Sequence, residues 1–204
     1  NALLNLTHID DISASTVTAW SAGLFSIALR PHELSLEDAE TLAEVVNITL
    51  NNALELQMDS HDALVGVLQT TDTIASVLKY NYDPNVYNAN NTITYIFPNN
   101  TAASVLPNLS RYGQLVTSNK VLGENHTLIQ YNNFGMTVHK VVVDSYGPNL
   151  TLIGAASEQD SHTDVAQVTL SPSNSTTARV VAAQLLSMHP RMFTADTAAF
   201  ISSP

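Results

Sequence analysis

The sequence predicts an α+β fold in which an N-terminal helical subdomain precedes an antiparallel β-sandwich. Up to about residue 80, apolar residues recur at helical spacing, which is typical of amphipathic helices. From His126 onward they alternate with period two, the pattern of half-buried strands. An Asn-rich stretch lies between the two patterns. We therefore predict a helical subdomain over 1–80, a joint over 81–91 and a β-sandwich subdomain over 92–204, incomplete at its C-terminal end.

The first two predicted helices are bounded by recognisable signals. A stripe that begins at Val17 continues to Arg30, and Pro31 ends the helix because proline cannot continue it. The next helix begins after Ser35, and the acid Asp38 three residues later is close to a capping box. Its apolar stripe runs to about Leu56 and leaves Asn47 on the side that faces water.

A third helix follows, which Asp59–Ser60 could cap, with a buried stripe between Leu64 and Leu78. The composition then changes to Asn, Tyr and Pro, with one probable strand at Thr92–Phe97. The polar segment that covers residues 99–118 is interpreted as a long loop or short irregular pieces.

The clearest strand signal is a hairpin. The strand-like runs His126–Tyr131 and Met136–Val143 are joined by an Asn- and Gly-containing turn at 132–135. Lys140 breaks the alternation of the second run, so we expect a bulge or a sheet edge there. Turn residues separate the later strand candidates, which are Leu150–Ile153, Val165–Leu170, Ala178–Leu186 and Arg191–Phe193.

Composition limits the function classes. Only 12% of the residues are charged, about half the share usual for a soluble domain. A net charge of −11, with seven scattered Lys and Arg, disfavours nucleic acid and anionic membrane surfaces as partners. Cysteine is absent, which excludes thiol catalysis and means that this chain folds by core burial alone. The apolar run Ile12–Leu29 contains six hydroxyl side chains, which argues against a membrane span.

Glycan acceptor sequences are enriched. The 19 Asn and the 40 Ser plus Thr would give roughly four Asn-x-Ser/Thr sequons by chance, and the chain holds eight. Sugar chains would supply the solvation that charged side chains do not. We therefore predict a secreted or cell-surface glycoprotein with N-linked glycans at Asn5, Asn47, Asn90, Asn99, Asn108, Asn125, Asn149 and Asn174.

Catalytic and metal-binding patterns are weak. The polar segment Glu158–Asp164 could bind Ca²⁺ or Zn²⁺, but its spacing matches neither an EF-hand loop nor the His-Glu-x-x-His motif, and a solvated loop is favoured. His8–Asp11 is a weaker version of the same pattern, better explained as a helix entry or a mobile terminus. Neither a Gly-x-Ser-x-Gly motif nor a phosphate-binding loop occurs in the sequence. We expect no enzyme activity, no cofactor and no metal site.

Several phrases resemble the GAIN domain of adhesion G-protein-coupled receptors and polycystin-like proteins. They are 36–40 (LEDAE), 132–138 (NNFGMTV), 168–172 (VTLSP), 178–182 (ARVVA) and the pair Met192–Phe193. The resemblance implies a helical subdomain that packs on a sandwich. The sequence departs from the family in one respect, which is its lack of the C-terminal proteolysis motif. No His-Leu-Ser/Thr cleavage tripeptide is present, and the single Trp is Trp20, in the helical part. No autoproteolytic residue can be assigned.

The predicted function is a non-catalytic extracellular module, either a spacer or a force-transmitting adhesion domain of a cell-surface receptor. Its expected partners are other proteins or neighbouring domains of the same chain, with any membrane contact made by segments outside this chain. Two alternatives remain open. One is a structural glycoprotein that self-associates through exposed strand edges. The other is a fragment of a secreted hydrolase.

Overall fold

In the computed structural model, helices precede antiparallel strands, which confirms the α+β class. The structure describes residues 2–58, 61–80, 101–143, 149–154, 167–170, 179–188 and 197–202. The described chain forms two compact units, Asn1–Arg111 and Tyr112–Pro204. Their division falls inside a helix, downstream of the joint predicted at 81–91, which lies outside the described residues.

The first unit is helical. In the described residues up to Tyr80, its elements are α1 (Ala2–Ile9), α2 (Ala14–Ala28), α3 (Leu36–Glu55) and α4 (Val65–Tyr80), with short 3₁₀ turns at Pro31–Glu33 and Asp62–Leu64. The three helices predicted from the apolar stripes correspond to α2, α3 and α4. The core includes the fully buried Val17, Leu24, Val46, Leu50, Leu68 and Ile74.

Local chemistry explains where α3 begins. The Ser35 hydroxyl accepts a hydrogen bond from the Asp38 backbone N–H, and the Asp38 carboxylate accepts one from the Ser35 backbone N–H. This reciprocal pair is the predicted capping box, and it satisfies two backbone donors that the first turn of a helix leaves free. Asp59 and Ser60, the predicted cap of the third helix, lie outside the described residues.

Helices α2 and α4 approach closely at Gly66. A Cβ atom at this position would lie only 1.9 Å from the backbone carbonyl oxygen of Ser21. Thr73, one of the buried polar residues of α4, donates a side-chain hydrogen bond of 3.0 Å to the carbonyl oxygen of Ala28 at the end of α2. The helix pair is therefore held by backbone proximity as well as by apolar contact.

Helix α5 (Thr101–Asn119) corrects the loop predicted for residues 99–118. Its buried face carries Val105, Leu109, Tyr112 and Leu115 at helical spacing. Polar residues and Pro107 inside the helix obscure that spacing in the sequence. Tertiary burial of the apolar face outweighs the low helix propensity of the intervening residues.

In the second unit, the described residues form six strands in two antiparallel sheets. The strands are β1 (Thr127–Gln130), β2 (Phe134–Val143), β3 (Leu150–Ile153), β4 (Gln167–Leu170), β5 (Arg179–Met188) and β6 (Thr197–Ser202). The first sheet has the order β1-β2-β5-β6, and β3 pairs with β4 in the second. An apolar cluster draws residues from both sheets: Val143, Leu152, Leu170, Val181, Ala183 and Leu185.

The predicted hairpin is present, and its register is regular. Thr127 faces Val138, and the Tyr131 N–H donates to the Phe134 carbonyl at the turn. The predicted bulge at Lys140 is wrong, because β2 pairs with β5 without interruption from Phe134 to Val143. The alternative prediction, a sheet edge, is met within the described residues, because Lys140 lies beyond the last residue pair of β1 and β2, where β2 pairs with β5 alone. The strand candidates Thr92–Phe97 and Arg191–Phe193 lie outside the described residues.

Candidate functional site

The predicted glycan acceptors occupy different environments. Asn5, Asn125 and Asn149 are exposed, and Asn47 is half-buried with its Oδ1 3.4 Å from the Asn51 Nδ2. The exposed asparagines have room for a sugar chain. The apolar stripe predicts that Asn47 faces water, but Asn47 is half-buried, so it is less accessible than the three exposed acceptors. Three more acceptors lie outside the described residues: Asn90, Asn99 and Asn174.

Asn108 is the exception, and its prediction as a glycan acceptor is corrected. Its side chain is 3% exposed, and its Nδ2 donates a hydrogen bond of 3.3 Å to the Ala43 carbonyl oxygen of α3. Its Oδ1 lies 3.5 Å from the Arg111 guanidinium. Because the amide nitrogen to which a sugar would be joined is enclosed in the helical unit, the fold leaves no space for a glycan. Asn108 is a packing residue of α5.

Asn125 lies in an anchored turn. The Lys120 side chain is only 4% exposed, and its ammonium donates to the Asn125 carbonyl oxygen at 2.6 Å and to the Thr127 Oγ1 at 2.9 Å. Thr127 is the hydroxyl residue of the Asn125 sequon. A buried lysine therefore fixes the backbone of the acceptor sequence, while the Asn125 side chain extends into solvent.

Two further charged residues, Glu124 and Lys140, make contacts to this turn. The Glu124 carboxylate lies 3.5 Å from the Lys120 ammonium and accepts a hydrogen bond of 2.9 Å from the Val121 N–H. That backbone hydrogen bond, with a smaller effect from Lys120, lowers the pKa of Glu124 below its ordinary value. The Lys140 ammonium donates to the Lys120 carbonyl oxygen at 2.8 Å. Gly123 is in the left-handed region at φ 85°, where a side chain would be strained.

A histidine pair lies beside this turn. Because Thr127 faces Val138, the next opposed positions of the hairpin are His126 and His139. Their ring centroids are 5.3 Å apart, with an angle of 32° between the planes. His126 is exposed, whereas His139 is half-buried and its Nε2 is enclosed without a hydrogen-bond partner among the described residues.

The surroundings keep His139 in its neutral form. Burial lowers the pKa of His139, and the neighbouring His126 and Lys120 lower it further, while a hydrogen bond with the backbone of Ile153 acts in the opposite direction. A lowered pKa favours the neutral imidazole. In that form, a ring nitrogen has a free lone pair, which is the state that accepts a hydrogen bond or binds a metal.

The other chemical patterns of the sequence have separate outcomes. In the segment His8–Asp11, Asp10 accepts a hydrogen bond of 3.1 Å from the Trp20 indole nitrogen, so this carboxylate has a structural role. Glu158–Asp164 lies outside the described residues. Within the described part, three or more His, Asp or Glu side chains nowhere come together in a group that could hold a metal ion.

A groove of about 380 Å³ lies on the helical unit, between α2 and the start of α4. Small hydroxyl and alanine side chains line it together with Phe25, and Asp62 is the ionisable residue among them. One carboxylate beside small neutral groups does not provide the converging polar groups that a ligand site requires.

Sequence reasoning did not identify the roles of Lys120, Lys140 and the histidine pair. The pair had a usable signal, since a hairpin that aligns Gln130 with Gly135 also aligns His126 with His139. The lysine clamp, in which the Lys120 ammonium binds the Asn125 carbonyl and the Thr127 hydroxyl, had no comparable signal. Lys120 reaches Thr127 across a turn whose path depends on Gly123.

Comparison with known proteins does not assign the chain to a family. No protein-family model matches it, and no curated protein does. Within the described residues, the helices are too short or too polar to cross a membrane.

Proposed function

We propose that this chain is a non-catalytic module of an extracellular or cell-surface glycoprotein, serving as a spacer or as a force-transmitting adhesion domain. The observation that carries the proposal is the exposure of Asn5, Asn125 and Asn149 in a chain with only 12% charged residues. Hydrated sugar chains at these positions would solvate a surface that carries few ionised side chains. Proteins or neighbouring domains of the same chain are the proposed partners.

The order of the elements supports a GAIN-like organisation as part of this proposal. Helices α1–α4 precede the antiparallel strands, which is the arrangement that the resemblance implies. The capping box at Ser35 and Asp38 opens the long helix α3 within one of the resembling phrases. The turn at Asn132–Asn133 joins β1 to β2 within another.

Peptide mapping of protein from its native source tests the proposal. Enzymatic removal of N-glycans in heavy-oxygen water converts each modified Asn to a labelled Asp. We expect label at Asn5, Asn125 and Asn149, and none at Asn108. Unmodified Asn at all three exposed positions would contradict the extracellular assignment, because glycans would then not supply the surface solvation that the few charged side chains do not provide.

A structural glycoprotein that self-associates is the second candidate. In the described part of the first sheet, β1 pairs only with β2, so its outer side is an edge. Leu128 on this strand is 54% exposed. An apolar edge strand is a template for pairing with another chain. Sedimentation of glycosylated protein distinguishes the candidates, because a spacer stays monomeric with rising concentration while a self-associating protein forms regular oligomers that a Leu128→Lys substitution abolishes.

A further inference from the structure

The structure points to a zinc-binding site at the open end of the hairpin, with His126 and His139 as the protein ligands and water completing the coordination. We propose this site from three observations: the facing positions of the two residues, the distance between their rings, and the unpartnered nitrogen of His139. The proposal is independent of the glycosylation proposed above.

The first observation is the register. His139 lies in β2 and His126 immediately precedes β1, so both are one position beyond the terminal residue pair of the two strands, Thr127 and Val138. The Lys120 clamp on Asn125 and Thr127 holds the residues on both sides of His126. Two ligands that are already positioned lose little conformational freedom when they bind a metal.

The second observation is the distance between the rings. A Zn–N bond of about 2.0–2.1 Å places the centroid of a bound imidazole about 3.2 Å from the metal. Two imidazoles at a tetrahedral angle then have centroids about 5.2 Å apart. The observed separation is 5.3 Å. The separation of the two rings therefore matches that of two imidazoles bound to one tetrahedral zinc ion.

The third observation is the free nitrogen. The Nε2 of His139 is enclosed and has no hydrogen-bond partner among the described residues, and neither has the Thr137 hydroxyl two residues earlier on the same face of β2. A buried polar atom without a partner is costly and points to a water or an ion at that place. Zinc bound to the imidazole would satisfy the nitrogen, and a water on the zinc is a suitable partner for the hydroxyl.

The charges nearby set the strength of the site. The ammonium groups of Lys120 and Lys140 repel a cation, and the Glu124 carboxylate, 3.5 Å from the Lys120 ammonium, offsets part of that repulsion. With two protein ligands instead of three or four, zinc would exchange with solvent. Imidazole ligands favour zinc, copper and nickel over calcium and magnesium.

Calorimetric titration of the whole chain with zinc chloride tests the proposal. We expect that His126→Ala weakens zinc binding at least about tenfold, because one of two ligands is lost. His126 is exposed, so this variant keeps the fold. His8→Ala, at an exposed histidine of the helical unit, is the control, and it is expected to bind zinc with the affinity of the wild type.

A second measurement locates the metal. Zinc should shift the imidazole resonances of His126 and His139 together, and it should raise the melting temperature of the wild type but not that of His126→Ala. Equal zinc affinity of His126→Ala and the wild type would overturn the proposal. A dissociation constant above about 1 mM for the wild type would also overturn it.

Discussion

The Nδ2 of Asn108 donates a hydrogen bond of 3.3 Å to the backbone carbonyl oxygen of Ala43. This contact joins α5 to α3 and distinguishes Asn108 from the exposed acceptors Asn5, Asn125 and Asn149. Asn125 belongs to an identical type of sequon, yet its side chain is exposed. Variants of these two residues can therefore distinguish a role in packing from a role in glycan attachment.

We predict that Asn108→Gln leaves the glycan mass unchanged and lowers the free energy of unfolding by about 1–3 kcal/mol, because the longer side chain overpacks a filled space and displaces the hydrogen bond. Asn125→Gln is the matched control. It should remove one glycan and leave the stability nearly unchanged. Gel mobility and urea denaturation of the two variants provide the test, and a loss of glycan mass in Asn108→Gln would refute the packing role.

The lysine clamp leads to a second prediction. Lys120→Met retains the buried methylene chain but removes the donor for the Asn125 carbonyl and the Thr127 hydroxyl. We expect a loss of about 1–2 kcal/mol in unfolding free energy. This is close to the usual contribution of a hydrogen bond to a charged group, reduced because water can partly replace the missing ammonium donor. Glu124→Gln should cost much less than Lys120→Met, because its side chain is 51% exposed and exposed ion pairs contribute little. Urea denaturation measures both, and equal effects would contradict the clamp.

Parts of this architecture that depend on local chemistry could be predicted from the sequence. The capping box needs only Ser35 and Asp38, and the stripes of α2, α3 and α4 repeat over several turns. Helix α5 could not be recognised in the same way, because Pro107 and polar residues interrupt its apolar positions. The burial of Asn108 was missed for that reason, since a residue assigned to a loop is expected to be exposed.

The candidate histidine site could not be predicted without the register of β1 and β2. Alternation in the sequence indicates which residues share a face of β2, but the opposition of His126 and His139 depends on the alignment that the turn imposes. The contact between Lys140 and the Lys120 carbonyl joins residues 20 positions apart. Such a contact forms only after the strand and the end of α5 are both in place, and no local pattern encodes it.

A third prediction concerns pH. Hydrogen bonds from the Ser35 hydroxyl and the Ser35 backbone N–H hold the pKa of Asp38 below its ordinary value. The unfolded chain therefore takes up this proton first as the pH falls. The contribution of Asp38 to stability is fully present above its ordinary pKa of about 4, and it is lost as the pH falls through the lowered value in the folded state.

The difference in unfolding free energy between the wild type and Asp38→Asn should consequently shrink as the pH is lowered from about 6 to about 3. Ser35→Ala removes the side-chain donor, so the same comparison in that background should show a weaker pH dependence. Urea denaturation at each pH measures both differences. A constant difference between the wild type and Asp38→Asn over this range would show that the carboxylate charge does not stabilise the cap.

The close approach of α2 and α4 provides a fourth prediction, with a control inside the same unit. Gly66→Ala would place a Cβ atom 1.9 Å from the Ser21 carbonyl oxygen, so the helices must separate. We expect a loss of about 1–3 kcal/mol in unfolding free energy, the usual cost of overpacking.

At Gly23 in α2, the nearest atom to an added Cβ is the Leu3 Cδ1 at 3.3 Å, the end of a flexible side chain. Gly23→Ala should therefore be neutral or stabilising by up to about 1 kcal/mol, because alanine favours the helix. Thermal and urea denaturation rank the two variants, and a Gly66→Ala protein as stable as Gly23→Ala would mean that the contact between the helices is looser than the structure describes.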